Sequence, residues 1–99
     1  MTIEELLAES RKIWGDQKLT LEEIIVRQGV AMGDIHRFAR DKSEGKATDE
    51  SELKKELGNI IFSTIRWCDD LGYSPEECLE LAKQAQLKYR ATQNTNIQS

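Results

Sequence analysis

Glu52–Gly72 reads ELKKELGNIIFSTIRWCDDLG, and its pattern decides the fold. Leu53, Leu57, Ile60, Ile61, Ile65, Cys68 and Leu71 recur at helical spacing and share one face of a long helix. At about 100° per residue, Glu52, Glu56, Asn59, Ser63 and Asp70 form a second, polar stripe along one edge of that face. An apolar seam bordered by acids can build a helical bundle and can also hold a cation at its margin. Asp49 and Glu52 provide the start signal, and Gly72 suits the position just past the helix end.

The neighbouring segments are helical too. On the C-terminal side, Ser74-Pro75-Glu76-Glu77 combines a Ser N-cap, a Pro at the first helical position and a Glu at the third. Cys78, Leu79, Ala82, Ala85, Gln86 and Tyr89 carry that helix, and the short connection from Leu71 to Pro75 predicts that it lies antiparallel to the one before. Residues 92–99 (TQNTNIQS) are polar and aperiodic and are expected to form a disordered tail. On the N-terminal side, residues 41–50 (DKSEGKATDE) form a polar surface connection. Before it, Leu21, Ile24, Ile25, Gln28, Met32, Ile35 and Ala39 keep the helical period to about Asp41. Thr20 with Glu23 and Thr2 with Glu5 are capping boxes, with Leu19/Ile24 and Met1/Leu6 as hydrophobic staples. Gly29 and Gly33, four apart in a helix interior, point to a close approach by another backbone. Ile3, Leu6, Leu7, Ser10, Ile13 and Trp14 line the first helix, which Gly15-Asp16 ends. The expectation is an all-α, four-helix domain over residues 1–91 with long middle helices.

Composition bounds the function. A chain of 99 residues with 38% hydrophobic content makes a thin core, so association with further copies is expected. A net charge of −4 without a basic stripe disfavours nucleic acid as a partner, including through a helix-turn-helix arrangement. No apolar run reaches transmembrane length and no leader pattern opens the chain, so it reads as a cytoplasmic protein with no membrane partner. Cys68 and Cys78 read as buried free thiols rather than a disulfide. With His36 the single histidine, a closed zinc site of Cys and His cannot be assembled in one chain, and His36 itself reads as a packed or capping residue. Glu22-Glu23 and Glu76-Glu77 favour the helix dipole in first turns, whereas Asp69-Asp70 lie at a helix C-terminus where acids are electrostatically poor. Solvent exposure or a salt bridge from an adjacent helix would account for that pair. Glu56 and Asn59, at i and i+3, can converge on one point, although a solvated or salt-bridged helix edge is the simpler reading of these two residues.

The arrangement from Leu19 to Tyr89 resembles the MazG-like all-α nucleoside triphosphate pyrophosphohydrolases. Glu52–Gly72 followed by Tyr73-Ser74-Pro75-Glu76-Glu77-Cys78-Leu79 looks like their C-terminal half, in which Glu-x-x-Asp opens an apolar helix before a short turn and another helix. Gly29-Val30-Ala31-Met32-Gly33-Asp34-Ile35 stands where the family carries Glu-x-x-Glu. The resemblance implies four acids from two adjacent helices holding Mg²⁺ (with Mn²⁺ as an alternative). It implies cleavage between the α and β phosphates of a nucleoside triphosphate, and a homodimer or homotetramer. Here the first pair reads Ala31 and Asp34, and the second Glu56 and Asn59, so two carboxylates and an amide replace four carboxylates. The implied metal ligands are Asp34, Glu56 and Asn59, with Glu52 as a substitute one turn earlier, and Glu56 is the implied catalytic group. Arg27, Arg37, Arg40 and Lys83 are basic groups for phosphates, with Arg37 and Lys83 the expected substrate contacts. A helical oligomer that has lost the chemistry, acting in nucleotide binding, regulation or assembly, is the alternative.

Overall fold

The computed structural model describes residues 1–98, with side chains through Gln93, and every regular element among them is helical. The four helices are α1 (Ile3–Trp14), α2 (Leu21–Ser43), α3 (Glu50–Asp70) and α4 (Pro75–Gln98). Their starts follow local chemistry. The Glu23 amide donates to the Thr20 hydroxyl, and the Glu23 carboxylate accepts from the Thr20 amide, closing a full capping box. Those hydrogen bonds, the backbone one first, hold Glu23 below the usual carboxylate range. Their contribution is therefore complete above the ordinary carboxylate pKa and is lost as pH falls through the lowered one. Thr2 accepts from the Glu5 amide, Asp49 from the Ser51 amide and Ser74 from the Glu77 amide. Met1 stays largely exposed and adds little to the buried Leu6 beneath it.

Gly15 and Gly72 follow helix ends at φ 79° and 82°, values that cost an L side chain strain and glycine little. Past Gly72, the Tyr73 amide reaches back to the Cys68 carbonyl at 2.9 Å and closes the α3 end.

The helix of the opening stretch is the hub: α3 packs along α2, and α1 and α4 both pack on α3. Its inward face keeps most of the expected stripe, with Leu53, Ile60, Ile65, Cys68 and Leu71 half-buried, and departs from it at two positions. Trp67, Arg66 and Asp70 are buried, and Leu53, Glu56, Ile60 and Ser63 are half-buried, while Leu57 and Ile61 face outward. Of the polar edge, Glu56 and Ser63 are half-buried while Glu52 and Asn59 are exposed, and part of the apolar seam is left open. Leu57 and Ile61 lie within the stripe, whereas its members toward the end of α3, Ile65, Cys68 and Leu71, are half-buried where α1 joins through Arg66 and Asp69. On α2 likewise, Ile24 is buried and Ile35 and Phe38 are half-buried, but Leu21, Ile25, Val26 and Val30 are exposed.

α4 departs most from expectation. Pro75 is buried and Cys78 half-buried, after which every side chain from Leu79 to Gln93 is exposed. Leu79, Leu81, Leu87 and Tyr89 are spread around the helix rather than gathered in a stripe, so α4 has no single face to lay along α3. The projecting helix gives the chain a radius of gyration of 17.0 Å, against about 13 Å for a compact domain of this length. The polar segment expected as a disordered tail continues the helix from Thr92 through Gln98. It contains neither Gly nor Pro, and the Thr92 hydroxyl donates to the Lys88 carbonyl. Ser99 lies outside the described residues.

Gly29 and Gly33 meet no neighbouring backbone within the chain: a Cβ built at either would find nothing within 4 Å. Gly29→Ala and Gly33→Ala are therefore expected to stabilise α2 by about 1 kcal/mol each, raising the melting temperature by about 4–8 °C per substitution. A fall in either variant would show that another backbone packs there in an assembly.

Candidate functional site

α2, α3, the end of α1 and the α1–α2 connection border an open cavity of about 750 Å³. Ala31 and Asp34 line it from α2, and Glu56, Asn59, Ser63, Arg66 and Asp70 from α3. Trp14, Phe62 and Trp67 supply aromatic surface, and Arg27 a further cation. The four positions that resemblance assigns to metal-binding acids, 31, 34, 56 and 59, thus share one cavity. They do so because each pair is spaced i, i+3, one turn of helix, and the two pairs sit on the facing sides of α2 and α3.

A second cavity of about 330 Å³ continues from Asp34 and Glu56 toward the α2–α3 connection, where Arg37, Asp41, Asp49 and Glu52 join them. Glu52 belongs to this smaller space. The carboxylates here already have cationic partners. Arg37 lies 3.4 Å from Asp34, and Lys55 lies 2.6 Å from Glu52 and 3.8 Å from Glu56. The Glu52 hydrogen bond pushes the Lys55 ammonium above the usual lysine range, and the charges of Glu56 and Asp34 add to it. Lys55 is thus bonded to Glu52 and lies beside Glu56, while Asp34 is paired with Arg37. The Glu56 side chain is only 18% exposed, and that of Glu52 is 59% exposed.

Arg37 is at the site, but its charge is directed at Asp34. Lys83 is not brought there within one chain: it lies on a shallow face made by α4 alone, with Leu79, Gln86 and Arg90. Arg40 pairs with Asp41 at 3.9 Å. His36, expected at a packed margin, is exposed on α2. Among the described residues no three His, Cys, Asp or Glu side chains gather into a metal-holding group, and no helix is long and apolar enough to cross a membrane. Cys68 and Cys78 are free thiols, half-buried rather than buried. Burial, and then the adjoining Cys78, pushes the Cys68 thiol up.

The residue that sequence reasoning passed over is Arg66. Its Nε donates to Asp70 Oδ1 at 2.9 Å and its Nη1 to Ser10 Oγ at 3.0 Å. Its Nη2 donates to the Gly15 and Gln17 carbonyls at 2.8 and 3.1 Å. The guanidinium thereby joins α3, α1 and the α1–α2 connection, and Ser10, with no exposed surface, sits at its centre. The anomaly of two acids at a helix C-terminus is resolved by two cations. Asp69 pairs with Arg11 of α1 at 3.1 Å, and Asp70 pairs with Arg66 one turn back. The spacing of Arg66 and Asp70, i and i+4 within the opening stretch, was the available signal.

Comparison with family models, with curated proteins and with solved structures gives no match to this chain.

Proposed function

We propose that the chain is a MazG-like nucleoside triphosphate pyrophosphohydrolase with a reduced site for Mg²⁺. One observation carries the reading: Ala31, Asp34, Glu56 and Asn59 line a single cavity between α2 and α3. The donor set suits one ion. Mg²⁺ keeps several waters and is satisfied by one or two carboxylates plus substrate phosphates, and Asp34, Glu56 and the Asn59 amide oxygen supply that much. When bound, the ion supplies charge stabilisation at the cleaved phosphates and orientation of the attacking water. Asp34 and Glu56 contribute the two negative charges that hold it, and Glu56 is the proton acceptor in this reading. Arg27, which lines the larger cavity, and Arg37, which lines the smaller one beside Asp34, are the cations this reading assigns to the phosphates, and Lys55 must release Glu56 for the carboxylate to act. A cavity of about 750 Å³ is of a size for one nucleotide.

The test is incubation with ribo- and deoxyribonucleoside triphosphates in Mg²⁺ or Mn²⁺, with detection of pyrophosphate. Metal-dependent release of pyrophosphate and a monophosphate is expected. Absence of release in both metals, together with no nucleotide binding by calorimetry, would remove the enzymatic reading.

A second reading is a helical oligomer that has kept the bundle and lost the chemistry, with a role in nucleotide binding, regulation or assembly. The outward Leu57 and Ile61 of α3, the exposed Leu21 and Ile25 of α2 and the exposed Leu81 and Leu87 of α4 favour assembly under either reading. Light scattering at micromolar concentration is expected to give the mass of a dimer or tetramer. A monomeric mass would reject the oligomer.

A further inference from the structure

The connection between α1 and α2 is short, exposed from Gly15 to Lys18 and half-buried at Leu19, and it borders the cavity. Ile13, Trp14, Gln17 and Leu19, at its start and along it, all contribute to the cavity wall. Trp14 nevertheless is 70% exposed, and Gly15 turns the chain out of α1 at φ 79°. This segment is therefore held in place by few side-chain contacts of its own. What ties it to α3 is one nitrogen: Arg66 Nη2 donates to both the Gly15 and the Gln17 carbonyl. The remaining bonds of the same guanidinium, to Asp70 and Ser10, fix its plane, and the Arg66 side chain is only 9% exposed.

We propose that Arg66 is the positioning residue of this cavity. Its guanidinium fastens the Gly15–Leu19 strap to α3 and so keeps Trp14 and Gln17 in the wall that Asp34, Glu56 and Asn59 also line. Arg66 makes these bonds through its fork of donors, and a lysine at the position has one nitrogen that cannot reach four acceptors spread around it. Loosening the strap uncovers one side of the cavity and leaves the carboxylates on α2 and α3 where they are. This goes beyond the proposed activity, and only the ligand-binding arm of the test rests on that activity.

The strap and the α2–α3 connection each carry one lysine, Lys18 and Lys46, so limited trypsin digestion reads the two segments in one experiment. In Arg66→Lys, cleavage after Lys18 is expected to accelerate about tenfold relative to cleavage after Lys46, since two charge-assisted bonds to the strap are lost. In protein labelled with 5-fluorotryptophan, the Trp14 ¹⁹F resonance is expected to shift and that of Trp67 to stay. Ser10→Ala disturbs the same guanidinium without touching the strap carbonyls, and is expected to leave the Lys18 to Lys46 ratio near that of the unsubstituted chain. An unchanged ratio in Arg66→Lys overturns the proposal. Parallel rises at both lysines, or an equal effect of Ser10→Ala, show a general stabilising role and overturn it too. Should Arg66→Lys not fold, Asp70→Asn loosens the guanidinium's anchor and must raise the same ratio by a smaller factor, and no rise there counts against the proposal. For the ligand arm, the fluorescent nucleotide TNP-ATP with Mg²⁺ is titrated into each variant. Weaker binding in Arg66→Lys but not in Ser10→Ala supports the positioning role, and equal binding in all three rejects it for this ligand. If the unsubstituted protein does not bind TNP-ATP, the nucleotide reading fails, and the protease ratio and the Trp14 resonance still decide the strap.

Discussion

Replacing Arg66 with Ala is expected to lower the melting temperature by at least 12 °C, or to remove cooperative unfolding altogether, as read by circular dichroism. The argument is one of magnitudes. Arg66 and Asp70 form an ion pair whose side chains are 9% and 2% exposed, and deleting one partner of such a pair costs about 3–5 kcal/mol because the other charge stays buried. Ser10 and the carbonyls of Gly15 and Gln17 lose their donor in the same step. At about 4–8 °C per kcal/mol for a chain of this size, even 3 kcal/mol moves the midpoint by about 12–24 °C. Little else resists the change, since among the described residues only Leu6, Ile24 and Trp67 of the large apolar side chains are buried. A domain with so small a core sits near the lower end of the usual stability range, about 5 kcal/mol. Asp70→Asn keeps an acceptor for Arg66 Nε and removes only the charge, so its fall is expected to be smaller. A midpoint for Arg66→Ala within a few degrees of the unsubstituted protein would mean that the helices are held together by something other than this hub.

That hub also shows where the sequence is informative and where it is silent. Helix boundaries are written locally. Thr2, Thr20, Asp49 and Ser74 each satisfy an amide that the first turn leaves without a partner, and Gly15 and Gly72 take the positive φ that follows a helix end. Four helices and the hub position of the third were legible for that reason. Which arc of a helix faces inward is not a local property. Leu57 and Ile61 sit inside the stripe of α3 and are exposed while Glu56 and Ser63 beside it are half-buried, an outcome set by which helices reach that part of α3 and not by periodicity. The exposure of α4 beyond Cys78 is not legible either, because a short connection constrains where a helix starts and not whether it has a face to bury. Of the acceptors of Arg66 only Asp70, one turn on, is visible in the sequence; the other three are backbone carbonyls and a serine more than 45 residues away, which leave no trace in charge or hydropathy. Of the candidate site, Asp34, Glu56 and Asn59 come together, Glu52 and Arg37 adjoin them through the smaller cavity, and Lys83 lies apart on α4.

The substitution pair Ala31→Glu and Asn59→Asp is expected to tighten Mg²⁺ or Mn²⁺ binding by about tenfold or more, because affinity at oxygen-ligand sites rises with the number of ligand charges. Both positions line the cavity that Asp34 and Glu56 share, so the new carboxylates enter the same space from opposite helices. The gain must exceed a local cost. Two added negative charges repel the two already present, and Arg37 and Lys55 already partly neutralise Asp34 and Glu56. For that reason the double substitution is expected to lower the melting temperature without metal and to restore it with metal, since a cation that binds only the folded chain stabilises it by mass action. Calorimetric titration with Mn²⁺ and thermal unfolding with and without it measure both halves. Glu56→Ala in either background is expected to abolish metal-dependent pyrophosphate release, and an unaffected rate would place the chemistry elsewhere. If the doubly substituted chain binds no more metal than before, the side chains at 31, 34, 56 and 59 do not converge as their shared cavity implies, and the pairing of α2 with α3 loses its functional meaning. If it binds metal but still cleaves nothing, the chain holds the geometry of a hydrolase without the activity, and the reading of a helical oligomer with a nucleotide-sized cavity becomes the stronger one.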